Sequence, residues 1–469
     1  MSPTRKRRTV LLSAGSSRLH DYREPLFQQR LKPIFFIYVI ILLGMVYKAT
    51  GIKKIFHDTR RFLARTHLSS KNALQIGITG SQGKTNTTYV ITSILEKLGE
   101  TIVTDTNLDT TFNVPITGLK VKNSTEFLIW ELGIDHPGEM AHHLEIAHPK
   151  IGVMTGISPV HTDKEHMGSL EQLIFEKRQL VERLPQNGWA VLNWDDLNVR
   201  GMVPHIKATI LTFGTSDECS VWVDPASVTT ALTGTTMTLH DGTSEITITT
   251  PLIGIHHIYN IMAGYLVFKL ALTQGFDLSQ QQQQLFKDTV ATLQPLQGRM
   301  SAETGPRETV FLNDALRANP TSTKFGLQTL VALQEKGVKK IAVLAEMGEI
   351  DKTEEEHTKL GEYIATLPLD YLVCIGPLQK FVYEAALHKG FSTQRAFWVK
   401  DVFEAAKVLD PVIEKSDILY LKGSLLRHVE RVLLLLQGEK VGCTVVSCPF
   451  YHHCPECKYL HSGYQHVAS

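Results

Sequence analysis

The sequence predicts an α/β fold, in which a doubly wound, mainly parallel sheet is followed by a second sheet of the same class. From Ala73 onward, short apolar runs that end in glycine or polar residues alternate with stretches of helical pattern. This alternation is typical of parallel sheets whose faces are covered by helices. It starts again after Arg299, and we therefore expect two sheets, each with its own core.

The length of the chain favours several domains, because 469 residues exceed the ~100–200 residues of a typical domain. A hydrophobic fraction of 43%, a charged fraction of 20% and a net charge of +1 are ordinary for a folded protein and give no argument for a nucleic-acid partner. The predicted divisions are a basic region at 1–70, a first α/β domain at 71–298, a second at 299–440 and a Cys- and His-rich tail at 441–469.

One apolar segment precedes the predicted sheets. Residues 34–47 (IFFIYVIILLGMVY) contain no charge, but a helix of this length spans ~21 Å, less than the ~30 Å hydrocarbon core of a bilayer. Basic residues flank it on both sides, and its tyrosines suit a membrane interface. We favour membrane attachment with the main body on the cytoplasmic side; the alternative is a helix that is buried or docks on another surface.

The elements of the two domains follow from their patterns. In the first domain, LQIGIT, FLIWELG and KIGVMTGI are predicted strands, and TYVITSILEKLG is a predicted helix that stops at a glycine. Residues 207–250 hold short runs rich in threonine and valine, which indicate a small antiparallel insertion or edge. A helix is predicted from about Asn260 to Leu272. In the second domain, the predicted strands are ETVFLND, KKIAVLAEM, LDYLVCIG and SDILYLKGS.

The sharpest local signal is ITGSQGKTNTT, between the first predicted strand and the first helix. Gly80, Ser81 and Gly83 allow a tight turn whose N–H groups face phosphate oxygens, at the positive end of the following helix. Lys84 would reach the terminal phosphates, and the Thr85 hydroxyl would bind magnesium. The segment therefore predicts a phosphate-binding loop (P-loop) for a nucleotide.

A carboxylate ends the predicted strand FLIWE, namely Glu131. In a parallel sheet, strand ends meet at one edge, so Glu131 is placed where it would meet the magnesium held by Thr85.

A series of sequence blocks between residues 74 and 435 resembles the Mur ligase family, and most of all its MurF-type members, which add D-alanyl-D-alanine. The blocks occur in the family's order. They are TGSQGKTNTT, WELGIDHPGEM, TGISPVHTDKEHMGSLEQLIFEKRQL, AVLNWDD, GIHHIYNIMAG, GRM, NDALRANPTS and LKGS. The resemblance implies a P-loop-containing central domain followed by a Rossmann-like α/β domain, together with the use of ATP and Mg²⁺.

The resemblance also implies roles for single residues. His161 would bind a second magnesium, and Lys177 would be carbamylated, which converts a cation into an anionic oxygen ligand for that metal. Asn260, in the motif that His256 begins, would lie against the adenine. The remaining implied contacts are Arg299 and Asp314 with the nucleotide, Lys422 with phosphate, and Asn319 in the stretch of the incoming amine substrate.

The implied reaction is an ATP-dependent amide ligation. A substrate carboxylate attacks the γ-phosphate to give an acyl phosphate, and an amine then displaces phosphate. The leading hypothesis is a cell-wall ligase that adds D-alanyl-D-alanine to a muramoyl-peptide precursor of peptidoglycan. The alternatives are a related ligase that makes poly-γ-glutamate or another cell-surface amide polymer, and a non-catalytic, membrane-attached nucleotide-binding scaffold.

The sequence departs from the family's pattern on the acceptor side. Gly156 replaces an asparagine, DALRANP replaces a tyrosine-containing stretch, and Leu425 replaces an arginine, with Arg427 close by. The region before the loop holds the apolar segment instead of a domain for the uridine nucleotide, which favours a lipid-linked or membrane-proximal substrate over a UDP-linked one.

The tail lies outside the resemblance. Its cysteines are Cys443, Cys448, Cys454 and Cys457, with histidines among them. Four thiolates suit tetrahedral zinc, and the alternatives are an iron–sulfur cluster or reduced or redox-active thiols.

Overall fold

The structure is a computed structural model that describes most of the chain. The described residues are 50–105, 110–160, 162–163, 166–242, 244–273, 275, 277–348, 350, 353–448, 450 and 454–463. The apolar segment at 34–47 and His161 therefore lie outside the described residues. Within them, no helix combines the length and the apolar composition that crossing a bilayer requires.

The helices alternate with strands along the chain. They are α1 (Thr50–Leu68), α2 (Lys84–Leu95), α3 (Thr110–Lys120), α4 (Glu139–Leu144), α5 (Leu170–Glu182), α6 (Leu197–Arg200), α7 (His257–Thr273), α8 (Gln280–Ala291), α9 (Pro320–Ala332), α10 (Thr353–Ile364), α11 (Gln379–His388), α12 (Val402–Leu409) and α13 (Arg431–Leu436). A division into two compact units falls inside α1, between Phe62 and Leu63, so that both sheets belong to the second unit.

The first sheet has ten strands in the described part of the chain. They are β1 (Leu74–Thr79), β2 (Thr101–Val103), β3 (Phe127–Glu131), β4 (Ile151–Met154), β5 (Trp189–Asn193), β6 (Thr209–Gly214), β7 (Val221–Val223), β8 (Thr229–Ala231), β9 (Gly234–Asp241) and β10 (Ser244–Thr250). Their order is β10-β9-β7-β6-β5-β4-β1-β3-β2, and β8 pairs with β9. Pairing is parallel from β2 to β7.

The region 207–250 is only partly the antiparallel edge that the sequence predicts. Strands β8, β9 and β10 pair antiparallel, as does β7 with β9. For β6 the prediction is wrong, because β6 pairs parallel with β5 and continues the main sheet. The threonine-rich pattern of β6 does not distinguish a parallel strand from an antiparallel one, because the direction of pairing depends on the partner strand.

Helices cover both faces of this sheet, and β3 shows why. Phe127 and Ile129 point into a core that includes residues of α2 and α7. Leu128 and Trp130 point into a second core that includes residues of α5. This two-residue alternation places a hydrophobic surface on each face, which a doubly wound sheet needs. The fold class predicted from the sequence is therefore confirmed for the first sheet.

The second sheet has six strands in the described residues, in the order β11-β12-β16-β13-β14-β15. They are β11 (Ser301–Thr304), β12 (Val310–Asp314), β13 (Lys340–Ala345), β14 (Tyr371–Ile375), β15 (Ala396–Val399) and β16 (Ile418–Lys422). Pairing is parallel except between β11 and β12. The sequence predicted β12, β13, β14 and β16 and missed the two edge strands, which are short.

Candidate active site

A cleft of about 870 Å³ is lined by residues at the ends of strands from both sheets. Glu131 ends β3 in the first sheet, while Asp314 ends β12 and Lys422 ends β16 in the second. Ligands of open α/β sheets bind beyond the carboxyl ends of the strands. Among the predicted residues, the cleft is lined by Gly80, Ser81, Gly83, Lys84, Thr85, Glu131, Lys177, Asn260, Arg299, Asp314, Asn319 and Lys422.

The loop between β1 and α2 has the backbone that a phosphate cradle needs. Gly80 has φ 152°, and a Cβ atom there would lie 2.0 Å from Thr155 Oγ1. Gly83 has φ 81° and caps the N-terminus of α2. Both positions require glycine for conformational or steric reasons. The Ser81 N–H donates to Gly156 O at 2.7 Å, which connects the loop to the segment that follows β4.

Two lysines meet at this loop. The ammonium groups of Lys84 and Lys177 both donate to Gly80 O, at 2.7 and 3.1 Å. Burial lowers the pKa of Lys84, with the carboxylate of Glu131 acting in the opposite direction. The pKa of Lys177 falls well below its ordinary value because the side chain is buried, and the charge of Lys84 adds to the effect. The loop therefore brings two buried amines together where anionic phosphates are expected, and burial favours their neutral forms.

Thr85, Glu131 and Arg299 form a second contact group. The Thr85 hydroxyl donates to Glu131 Oε1 at 2.8 Å, and Arg299 donates to Thr85 Oγ1 at 3.2 Å. The other carboxylate oxygen, Glu131 Oε2, is buried and has no hydrogen-bond partner among the described residues. A hydroxyl and a carboxylate with an unused oxygen are ligands that Mg²⁺ prefers. These residues therefore fit a magnesium ion.

The segment that delivers Arg299 is held in an unusual backbone conformation. Gly298, directly before Arg299, has φ 71°, and Met300, directly after it, has φ 60° although it is fully buried. A non-glycine residue in the left-handed region costs about 1–3 kcal/mol and persists where surrounding packing fixes it. This strained turn lies just before β11 of the second sheet and directs Arg299 to Thr85 at the start of α2.

The asparagine of the GIHHIYN block is fixed by the loop helix. Asn260 Oδ1 accepts a hydrogen bond from Thr87 Oγ1 at 2.9 Å, and Asn260 Nδ2 faces His257 Nδ1 at 3.2 Å. His256 also lines the cleft. Burial lowers the pKa of His256 to about 4, with Asp314 raising and Lys422 lowering it. Its Nδ1 atom is buried without a hydrogen-bond partner among the described residues.

Asp314 and Lys422 form a pair on the second sheet. Lys422 Nζ donates to Asp314 Oδ2 at 2.6 Å, and the Tyr420 hydroxyl donates to the same oxygen at 3.0 Å. Asn319, by contrast, already has a structural task. Its side chain accepts from Ser322 N at 2.9 Å in the capping box of α9. The cleft thus contains Asn319, but its amide oxygen is used to start a helix.

Leu425, which replaces an arginine of the family pattern, and the nearby Arg427 lie in different surroundings. Leu425 lines the cleft, whereas Arg427 binds Glu346 Oε2 at 2.6 Å and Ser447 Oγ at 2.5 Å. Arg427 therefore joins the second sheet to the tail and is not among the residues that line the cleft.

One pair in the cleft belongs to two of the sequence blocks that resemble the family, and the resemblance implies no role for it. The Tyr259 hydroxyl donates to Asp195 Oδ2 at 2.9 Å, and both residues line the cleft. The two residues come from blocks far apart in the chain, so their contact had no signal in the sequence. Asp135 and Arg317, which also belong to these blocks, line the cleft as well.

The tail cysteines are free thiols, of which Cys443, Cys448 and Cys454 are buried and Cys457 is partly exposed. In the described residues, the four cysteines do not by themselves form a compact group of potential metal ligands. The three potential ligands whose atoms lie within 4.8 Å of one another are His428, Glu430 and Cys454. Zinc binding by the four cysteines stays a prediction.

Comparison with known proteins agrees with this geometry. The Mur ligase middle domain matches residues 78–268. The UDP-N-acetylmuramoyl-tripeptide–D-alanyl-D-alanine ligase of Mycobacterium tuberculosis is 30% identical over 326 residues, which cover 69% of this chain and 61% of that protein. The enzyme of the same name from Escherichia coli is 26% identical, over 64% of either chain. The match thus spans less than two thirds of each relative.

The crystal structure of MurF from Acinetobacter baumannii has a TM-score of 0.71 and 25% sequence identity, and it covers 82% of this chain and 81% of its own. Fold and cleft define an α/β protein with two sheets and a phosphate-binding loop at their junction. The chain belongs to the Mur ligase family, and the relatives named here are of the MurF type.

Proposed function

We propose that the protein is an ATP-dependent carboxylate–amine ligase that joins D-alanyl-D-alanine to a muramoyl-peptide precursor of peptidoglycan. The observation that carries this proposal is the cleft in which Lys84, Thr85, Glu131 and Lys177, from the first sheet and its helices, face Arg299 from the segment before the second sheet. The choice of substrates rests on the names of the relatives.

The residues act mainly by position and charge. The loop N–H groups and Lys84 would hold the β- and γ-phosphates, while Arg299 and Lys422 would neutralise charge from the opposite side of the cleft. The substrate carboxylate forms a bond to the γ-phosphorus as the bond to the β-phosphate oxygen breaks. The amine then attacks the acyl carbon, loses a proton, and phosphate leaves. Magnesium, when bound by Thr85 and Glu131, would stabilise charge on the transferring phosphoryl group.

Lys177 has the chemistry that carbamylation needs. An amine reacts with CO₂ only in its neutral form, giving a carbamate and releasing one proton. Because the pKa of the buried Lys177 amine is well below its ordinary value, the neutral form is more accessible than in an exposed lysine. We propose that the carbamate, with His161, holds a second magnesium.

The test is phosphate release from ATP and Mg²⁺, with UDP-muramoyl-tripeptide and D-alanyl-D-alanine supplied together and separately. The proposal expects release only when both substrates are present, and mass spectrometry should then find the ligated product. ATP binding without release under these conditions would rule out these substrates and favour another acceptor, such as a lipid-linked one. Absence of ATP binding would overturn the ligase assignment.

Two further parts of the sequence prediction remain proposals. We propose that residues 34–47 attach the protein to a membrane. The catalytic part would then lie on the cytoplasmic side, where ATP is available. Flotation of the full chain with anionic vesicles, compared with a variant carrying charged substitutions at Ile40 and Leu42, tests this attachment. We also propose that the tail binds zinc.

A further inference from the structure

A cluster of buried ligand-type side chains lies beyond the second sheet and outside the cleft. It consists of His428, Glu430 and Cys454, which are 2%, 5% and 5% exposed. One possible ligand atom from each residue lies within 4.8 Å of the other two. Ligand atoms around a tetrahedral zinc, at bond lengths of ~2.0–2.3 Å, are ~3.3–3.8 Å apart. The cluster is therefore close to the spacing of a bound metal.

Glu430 has an oxygen that the protein leaves unused. Its Oε1 atom is 2.9 Å from His428 Nδ1 and accepts from Cys454 N at 3.2 Å. Its Oε2 atom is buried and has no hydrogen-bond partner among the described residues. Buried carboxylate oxygens are rarely left without a partner, because burying an unpaired charge is costly. A cation at this place would supply the missing interaction.

The backbone around the cluster is arranged to bring the three residues together. His428 follows the 3₁₀ turn Leu425–Arg427 and adopts the left-handed conformation, with φ 46°. Arg431, which is 2% exposed, donates to Cys443 O at 2.9 Å and to Val445 O at 2.6 Å. These bonds hold the tail against the start of α13. Cys454 begins a second 3₁₀ turn, Cys454–Glu456, at whose end Cys457 N donates to Cys454 O at 2.9 Å.

We propose that His428, Glu430 and Cys454 bind a zinc-type divalent cation, with a neighbouring tail thiol in the fourth position. An imidazole, a carboxylate and a thiolate are all accepted zinc ligands, and the burial of the set is typical of a structural site. The Cys454 thiol gives up its proton when the metal binds. Two of these ligands, His428 and Glu430, belong to the second α/β domain and not to the cysteine-rich segment.

The site would fasten the tail to the wall of the cleft. The turn Leu425–Arg427 precedes His428 directly, and Ser424 and Leu425 line the cleft. A metal shared between His428 and Cys454 would therefore fix the segment that follows Lys422. Loss of the metal is expected to lower thermal stability first, and to affect ligand binding only through this segment.

Metal analysis and cobalt substitution of the full chain test the proposal. We expect about one zinc per chain, and a Co²⁺ form with a sulfur-to-cobalt charge-transfer band and the intense visible absorption of a tetrahedral site. Glu430→Gln, His428→Ala and Cys454→Ser should each weaken zinc binding at least ~10-fold. Cys219→Ser, a buried thiol outside the tail, is the matched control and should leave zinc binding unchanged.

Glu430→Gln keeps the size of the side chain, and its near-ultraviolet circular dichroism would establish that the variant is folded. Unchanged zinc affinity in folded His428→Ala and Glu430→Gln would overturn the proposal and assign the metal to the cysteines alone. A metal-free protein after purification and titration with zinc would also overturn it. None of these measurements uses ATP, so the outcome is independent of the ligase assignment.

Discussion

The phosphate loop and the Cys-rich tail both gather groups suited to charged ligands, but they do so over different distances along the chain. In the loop, Gly80, Lys84 and Thr85 are sequence neighbours, and the backbone between a strand and a helix sets their geometry. In the tail, the compact group joins His428 and Glu430 to Cys454, which a separate segment brings back.

This difference explains which of the two sites a sequence pattern can describe. A short motif specifies its own geometry, because glycine conformations and the helix start act on neighbouring residues. A site assembled from distant segments depends on packing, here on the bonds of Arg431 to the tail carbonyls. The thiol spacing identified a candidate region but not its partners from the preceding domain.

The largest expected effect is on the loop side. Lys84→Ala should lower the rate of phosphate release about 10³-fold, because the transferring phosphoryl group loses the cation of the phosphate loop. The rate is measured with both substrates present. Lys97→Ala, an exposed lysine after the same helix, is the control and should retain full activity. Equal rates in the two variants would show that Lys84 does not act on the phosphates.

Glu131→Gln should lower the rate about 10²-fold and raise the Mg²⁺ concentration needed for half-maximal rate. The physical reason is that the amide removes the negative charge next to Thr85, where Glu131 Oε2 has no other partner. Titration of the rate with Mg²⁺ checks this. A variant with the wild-type magnesium requirement would remove Glu131 from the metal site.

Lys177→Ala should also lower the rate, by about 10²-fold, and added short carboxylic acids should partly restore it by replacing the carbamate. In the wild type, the neutral amine fraction rises as pH rises through the lowered pKa of Lys177. Activation by bicarbonate should therefore appear with increasing pH and disappear as pH falls below that pKa. Lys177→Arg, which stays charged, should show neither response; a bicarbonate-independent wild type would contradict the carbamate.

The smallest effect concerns His256, at the junction of the two sheets. Its pKa is about 4 in the folded protein and about 6.5 when exposed, so the unfolded chain binds the proton first as pH falls. The free energy of unfolding should therefore decrease between about pH 6.5 and pH 4, and His256→Gln should reduce this decrease. Urea unfolding at several pH values measures both; identical pH profiles would show that His256 is not buried in its neutral form.

Much of the fold was predictable because its signals are local. The buried strands β1, β3, β4, β12, β13, β14 and β16 are short apolar runs that end in glycine, hydroxyl or charged residues, and each was predicted. Edge strands such as β11 and β15 were missed, because they are short and only partly buried. The prediction of an antiparallel β6 was wrong, because the direction of pairing depends on the neighbouring strand.

The candidate site divides in the same way. The loop residues and Glu131 could be placed together from strand ends alone, and the cleft contains them. The pairs Tyr259–Asp195 and Lys422–Asp314 join residues far apart in sequence. The resemblance to a family supplied candidate roles for Asp314 and Lys422 but none for Tyr259 and Asp195, and no spacing rule predicts such contacts.

By itself, the sequence determined the α/β class, the phosphate loop and the strand-end carboxylate, because these depend on residue type and short-range backbone geometry. Only the tertiary structure decided that Arg299, just before the second sheet, reaches Thr85, that Arg427 binds Glu346 outside the cleft, and that Cys454 lies beside His428 and Glu430. These contacts depend on how the two sheets and the tail pack against one another. They join residues from distant segments, so no single segment determines them.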